Sequence, residues 1–180
     1  MRKRINNKKS KRWKISESQK KLLDKLFKGI DSREIKSVVD LGAGRTSTHY
    51  LAHRFRKLIV KSVVYPGDER KIKPILECVP EKNYEIVERD IQKLNLKADL
   101  VLAHLFLGEA EKFGKNKFPE ILDSLFRIKA KYLVIINLFR DEVVDYRLLL
   151  KRIAQKGKQV KIAYQISTGG DECLGFLIKF

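Results

Sequence analysis

The sequence predicts an α/β protein, built on a mostly parallel sheet with helices on both faces. Short β-rich runs alternate with helical patterns, which is typical of βαβ units. A glycine turn joins the first of these runs directly to a helix, and two β-rich runs close the chain as a possible antiparallel hairpin. With 180 residues, 43% of them apolar, the chain is long enough for one hydrophobic core.

The elements follow one another with clear start and stop signals. The first is an amphipathic helix, for which Ser16 and Gln19 predict a capping box and Gly29 predicts the end. Thr46 and Ser47 are expected to cap the helix after the glycine turn. In chain order, we predict strands over 37–41, 62–65, 84–88, 98–106, 132–138, 160–166 and 173–180, and helices ending at 55 and covering 69–79, 119–126 and 141–155.

Ligands of open parallel sheets bind at the carboxyl ends of the strands. The loops that follow Leu41, Tyr65, Glu88 and Phe106 are therefore the expected place for a binding site.

The charge of the chain is concentrated at its start. The formal net charge is +18, and the first 36 residues carry 14 Lys or Arg against 4 Asp or Glu. A polyanion such as nucleic acid would neutralise this basic tail over 1–14, and Trp13 could stack on an exposed base. The alternative is a tail that serves solubility, with Trp13 packed on the domain. The expected nucleic-acid contacts are Arg2, Lys3, Arg4, Lys8, Lys9, Lys11, Arg12, Trp13 and Lys14.

Other classes of protein are disfavoured. No apolar run is long enough to span a bilayer, and no apolar segment follows the basic start as in a secretory signal, so the expected compartment is the cytoplasm. Cys78 and Cys173 lack the spacing of a disulfide framework or zinc site and are expected to be buried thiols. His49 and His53 lie four residues apart without an evident third ligand, so no metal is expected.

The glycine turn is the motif that carries chemistry. Gly42 can adopt backbone angles closed to other residues, Gly44 lets a ligand approach the main chain, and the next helix offers free N–H groups. A dinucleotide site would need a third glycine where this chain has Ser47, so a nicotinamide oxidoreductase is disfavoured.

The segment VVDLGAGRTS, at residues 38–47, resembles the first motif of the class I (Rossmann-like) S-adenosylmethionine-dependent methyltransferases. Residues 87–91 and 98–103 are similar to the family's segments after the third strand and along the fourth. The resemblance covers 37–180 and implies a seven-stranded sheet whose last strand is antiparallel. It also implies S-adenosyl-L-methionine as cofactor, resting on Gly42, Ala43 and Gly44, with Asp90 and Ile91 at the adenine.

Two positions are left open by this resemblance. Asp40 either orients the glycine turn or meets the cofactor's amino group, since a carboxylate suits a cationic ligand. The family's acid at the end of the second strand, which binds the ribose, is missing here, because that strand runs into Tyr65. Asp68 could reach the ribose from the loop, Glu69 could substitute, or Asp68 could cap the next helix. Tyr65 and Asp68 are therefore included among the expected cofactor contacts.

The acceptor site is expected after the fourth strand. His104 stands where a general base, a substrate contact or a cofactor contact would lie, and Glu109 is a second candidate. The family's motif for amino methylation of DNA bases is absent there, as is a cysteine placed for cytosine C5 transfer.

The sequence thus predicts a basic tail over 1–14, an amphipathic N-terminal helix over 15–36, and a methyltransferase domain over 37–180 acting on a nucleic acid, with RNA favoured. The same fold acting on a small molecule or protein, and a nucleic-acid-binding module without activity, remain alternatives.

Overall fold

The computed structural model describes residues 17–90, 96–108, 116–139, 142–166, 170 and 172–180. The predicted basic tail, together with Ile91 and Glu109, lies outside the described residues.

A single seven-stranded sheet forms the centre of the molecule, in the order β3-β2-β1-β4-β5-β7-β6. The first five strands along the chain run parallel, while β7 pairs antiparallel with both β5 and β6. This confirms the predicted mostly parallel sheet and its closing hairpin. The strands are β1 (Val38–Leu41), β2 (Val60–Val64), β3 (Tyr84–Glu88), β4 (Lys97–His104), β5 (Lys129–Leu138), β6 (Gln159–Ile166) and β7 (Glu172–Lys179).

Five α-helices in the described part of the chain flank the sheet. The starts predicted for two of them are wrong. The second helix begins one residue after Gly44, with Ser47 in the capping box rather than at the cap. The last helix starts well after residue 141, because the Asp145 side chain accepts a hydrogen bond from the Leu148 N–H and caps it. The helices are α1 (Glu17–Phe27), α2 (Arg45–Arg54), α3 (Glu69–Glu77), α4 (Phe118–Arg127) and α5 (Tyr146–Lys156).

The two faces of the sheet bury separate apolar clusters. On one face, α1 and α2 pack against the even-numbered side chains of β5, while α4 and α5 bury Leu133 and Ile135 on the other. Leu22, Leu23 and Leu26 of α1 are fully buried in the first cluster. The first helix is therefore part of the same hydrophobic core as the sheet.

One cysteine prediction is confirmed and the other is wrong. Cys173 is buried in β7, but Cys78 is exposed. Cys78 lies at the end of α3, where Leu76 and Val79 are the residues that turn inward. None of the described helices is both long and apolar enough to cross a bilayer.

The contact of α1 with the sheet depends on Gly175 of β7. A Cβ added at Gly175 would lie 2.6 Å from Leu26 Cδ1 and 3.4 Å from Ile136 Cγ1. We expect Gly175→Ala to destabilise the fold by about 2 kcal/mol, a loss of roughly 4–8 °C in Tm, because the core cannot absorb the extra methyl group.

Gly29→Ala is the matched control for this substitution. Its Cβ would meet Leu177 Cδ2 at 3.5 Å, an ordinary contact. Thermal denaturation followed by circular dichroism would compare the two, and equal Tm values for both variants would contradict the packing argument.

Candidate functional site

A pocket of about 500 Å³ opens at the carboxyl ends of β1, β2 and β4. The register Leu41–Val63 and Leu41–Ala103 brings these three strand ends to one edge of the sheet. Six residues singled out from the sequence line the pocket: Gly42, Ala43, Gly44, Tyr65, Asp68 and His104. Six further residues line the pocket but were not predicted as site residues from the sequence: Gln19, Arg45, Thr46, Ile72, Arg89 and Phe106.

The glycine turn forms the floor of this pocket. Gly42 has a φ of +69°, in the region that favours glycine. The N–H groups of Gly42 and Ala43 both donate to the Val63 carbonyl, at 3.1 and 3.2 Å. These bonds hold the turn against β2, and α2 begins at Arg45 with its N-terminus at the pocket.

Asp40 lies beneath the turn rather than on the pocket wall. Its side chain is fully buried, and its Oδ2 accepts hydrogen bonds from Ser47 Oγ at 2.8 Å and Thr48 Oγ1 at 2.6 Å. These bonds fix the first turn of α2 relative to β1. Of the two roles left open by the sequence, this geometry favours orientation of the turn.

Burial raises the pKa of Asp40 from 3.8 to about 7, against the lowering effect of the Thr48 and Ser47 hydrogen bonds. Between pH 4 and 7 the folded protein therefore holds a proton that the unfolded chain has released, and stability falls as the pH rises. A shift of this size corresponds to at most about 4 kcal/mol.

Asp40→Asn is expected to remove this pH dependence. The Tm of the variant minus the Tm of the wild type should rise between pH 4 and pH 7 and stay constant above pH 8. Differential scanning calorimetry over this pH series measures the effect, and His104 titrates in both proteins and cancels. A difference that does not change with pH would show that Asp40 titrates normally.

The first helix reaches the pocket through Gln19. Thr46 Oγ1 of α2 donates to Gln19 Oε1 at 3.3 Å, and both side chains line the cavity. Glu17, the first residue of α1, therefore lies two residues before a side chain that lines the pocket.

The loop between β2 and α3 forms a second wall. Glu88 Oε1, at the end of β3, accepts hydrogen bonds from the N–H groups of Gly67 at 2.9 Å and Glu69 at 3.4 Å. Asp68 makes no side-chain cap of α3 and pairs with Lys71 at 3.0 Å instead. Asp68 lines the pocket, whereas Glu69 does not.

His104 closes the site at the end of β4. Burial lowers the pKa of its imidazole from 6.5 to about 4, so the ring is neutral at pH 7. The next residue, Leu105, has a φ of +55°, and its N–H donates to the Ile136 carbonyl at 2.6 Å. This bend directs Phe106 back over Gly42, where a Cβ on the glycine would lie only 2.9 Å from Phe106 Cδ2.

The expected adenine contacts are not brought into the described pocket. Asp90 follows β3 but is not part of the lining, and Ile91 lies outside the described residues. Arg45 could have been inferred, since it follows the glycine turn directly. Gln19 and Arg89 carry no such signal, because only the packing of α1 and the end of β3 brings them to the pocket.

His49 and His53 meet Glu81 away from this site. His49 Nε2 lies 3.1 Å from Glu81 Oε2, and His53 Nδ1 lies 2.8 Å from Glu81 Oε1. Glu81 therefore bridges the two rings, which links α2 to the loop before β3. Within the described ranges, no cluster of three His, Cys, Asp or Glu side chains is arranged to hold a metal ion.

Comparison with solved structures gives extensive matches. A SAM-dependent methyltransferase from Aquifex aeolicus matches with a TM-score of 0.60 and 17% identity, over 89% of this chain and 88% of the other. A precorrin-6y C5,15-methyltransferase from Geobacter metallireducens matches with a TM-score of 0.59 and 15% identity, over 89% and 88%. A putative RNA methyltransferase from Pyrococcus horikoshii matches with a TM-score of 0.59 and 17% identity, over 89% and 81%.

No family model matches the chain, and no curated protein matches its sequence. The structural likenesses, all at low identity, show that the chain has the Rossmann-like fold of the class I methyltransferases.

Proposed function

We propose that this protein is an S-adenosylmethionine-dependent methyltransferase that acts on a nucleic acid, with RNA favoured. The observation that carries the proposal is the pocket around Gly42, at the carboxyl ends of β1, β2 and β4. In an open parallel sheet this is where a nucleoside-bearing ligand binds.

The lining residues fit the cofactor. A cavity of about 500 Å³ is large enough for a molecule of this size. Gly42 and Gly44 leave the main chain open to the ligand, and the Asp68 carboxylate can accept hydrogen bonds from ribose hydroxyls. Arg45, at the start of α2, can pair with the carboxylate of the methionine part. When bound, the cofactor supplies an electrophilic methyl group on a positively charged sulfur.

We assign His104 the part of proton acceptor. Its low pKa keeps the imidazole uncharged, which also avoids repulsion from a cationic cofactor. As the acceptor nitrogen or oxygen takes the methyl group, the methyl–sulfur bond would break and leave a neutral thioether. The proton that the acceptor loses would pass to His104 and from there to water.

Nucleic acid is favoured as substrate by the charges around the pocket. Arg89 lines it, and eight Lys or Arg residues without a single acid precede α1, whose Gln19 also lines the pocket. A segment of this charge attracts phosphates by counterion release, without regard to sequence.

Titration calorimetry with S-adenosylmethionine and S-adenosylhomocysteine tests the cofactor assignment, with NADH as the control ligand. We expect both sulfur ligands to bind at micromolar concentrations and NADH not to bind. A folded protein that binds neither sulfur ligand would overturn the enzyme assignment and favour a nucleic-acid-binding module.

Transfer of a labelled methyl group to total cellular RNA tests the substrate. Incorporation into RNA is the expected result. A protein that binds the cofactor but leaves RNA unlabelled would favour a small-molecule or protein acceptor, a class that includes the matched precorrin enzyme.

His104→Gln is expected to lower kcat by about 10²-fold, because the general base is lost. In the wild type, kcat should be constant from pH 6 to 8 and fall as the pH approaches 4, where His104 becomes protonated. The affinity for S-adenosylhomocysteine, measured by titration, should change less than about threefold if His104 acts on the acceptor. A variant that loses affinity but keeps kcat would contradict the assignment as base.

A further inference from the structure

The outer strand β6 has one covered and one open face. On the covered face, Ala163 is buried with the α1 leucines, and Lys161 Nζ donates to the Lys25 carbonyl of α1. The open face exposes every second side chain. These are Val160, Ile162, Tyr164 and Ile166, with exposed fractions of 42%, 58%, 43% and 51%, and we call them the β6 stripe.

Apolar side chains next to the stripe extend this surface. The ring of Phe139, which is 48% exposed, lies 6.3 Å from that of Tyr164 in an edge-on arrangement. Contiguous apolar patches of this kind mark interaction surfaces in water-soluble domains. In addition, β6 is an end strand of the sheet and pairs only with β7 among the described strands, so its other edge presents N–H and C=O groups.

The charge of β6 distinguishes it from the rest of the chain. Charged residues make up 34% of the sequence, but Lys161 is the single one among the eight residues of β6, and it is engaged with α1. This strand therefore offers a polyanion only one cationic side chain to contact. In a chain with a net charge of +18, an edge strand with a single charge is also a surface where two copies can meet with little repulsion.

We propose that β6 pairs antiparallel with the β6 strand of a second copy, across a twofold axis at Ala163. In this register Ile162 lies opposite the second copy's Tyr164, and Val160 lies opposite its Ile166. All four residues of the stripe then face another apolar residue, in β-branched and aromatic pairs that stabilise sheets. On the other face, Lys161 lies opposite Gln165 of the second copy.

Registers centred closer to the start of β6 are less favourable. Antiparallel pairing about a twofold axis requires one residue to face itself, so the alternatives are centred on other positions. A centre at 161 would place Lys161 opposite its own copy, and a centre at 162 would place Ile166 opposite Lys158. Like charges directly opposite each other destabilise a sheet, which excludes the first of these. The favoured dimer has one continuous fourteen-stranded sheet.

Sedimentation velocity of the full chain tests the proposal, at protein concentrations from about 1 to 100 µM. We would use about 0.5 M salt, which releases bound nucleic acid and screens the charge of the two copies. The wild type is expected to sediment as a dimer in the upper part of this range.

Ile162→Lys should shift the dissociation constant upward by at least about 10-fold, because it removes both cross-strand Ile–Tyr pairs and brings two ammonium groups close to the twofold axis. Ile59→Lys is the matched control, since Ile59 is 56% exposed, lies outside the stripe and gains the same charge. The control should behave as the wild type.

Ile166→Lys provides a second disruption at the other end of the stripe, and circular dichroism verifies that each variant is folded. A monomeric wild type at every concentration would overturn the proposal, as would a dimer that persists in both stripe variants. Neither result would bear on the cofactor assignment, which is tested by titration.

Discussion

Gly42→Ala is expected to lower the affinity for S-adenosylhomocysteine by at least about 100-fold. Two effects add at this position. An alanine with φ near +69° costs about 1 kcal/mol of backbone strain, and its Cβ would lie 2.9 Å from Phe106 Cδ2 and 3.4 Å from Phe106 Cβ. Because Phe106 is buried, the turn itself has to move, which tilts the floor of the pocket.

Gly170→Ala is the control for this prediction, because it adds backbone strain without a steric clash. Gly170 has a φ of +89°, and a Cβ there would meet nothing within 4 Å. This variant should lose about 2–4 °C in Tm through strain but bind the ligand within about twofold of the wild type. Titration calorimetry with S-adenosylhomocysteine measures the affinity of both variants. An unchanged affinity in Gly42→Ala would show that the ligand does not rest on this turn.

Neutralising four basic residues of the tail is expected to weaken binding to single-stranded RNA by about 10²-fold near 0.1 M salt. Each phosphate contact on a single strand contributes about 0.7 to the slope of log affinity against log salt, so the slope should fall by about 3. The substituted residues are Lys8, Lys9, Lys11 and Arg12, each changed to glutamine. Fluorescence anisotropy over a salt series measures both quantities.

The control variant also loses four positive charges, but at the amino ends of the strands, whereas the pocket lies at their carboxyl ends. Lys97 and Lys129 begin β4 and β5, Lys156 ends α5 and Lys158 precedes β6, so all four lie at the amino ends of the strands, away from the pocket. Changing these four to glutamine should lower affinity by less than about tenfold. Equal losses in the two variants would mean that RNA is bound by net charge alone, without a preferred surface.

The sequence predicted the elements well where local signals are strong. The glycine turn after β1 and the hairpin of β6 and β7 were predicted at the correct places, because turns and periodic apolar residues act over a few neighbours. The helix start predicted at residue 141 was wrong, because the Asp145 side chain caps α5, which begins at Tyr146. Strand ends shifted by up to three residues, as β5 shows by starting at Lys129.

The candidate site was predicted in part. The glycine turn and His104 were identified because they follow strands whose ends meet at one edge of a parallel sheet. The role of Asp40 could not be settled in advance, since it depends on whether the carboxylate faces the pocket or the first turn of α2. Arg89 and Gln19 were missed because they are distant in sequence from the glycine turn.

By itself, the sequence determined the α/β class, the order of the elements and the position of the glycine turn, because periodicity and turn chemistry are local properties of the chain. The tertiary structure decided that α1 closes one side of the pocket, that Asp40 is buried with a raised pKa, and that one face of β6 stays open. These features arise from contacts between residues far apart in the chain, where burial and the direction of each side chain are fixed by packing rather than by neighbouring residues.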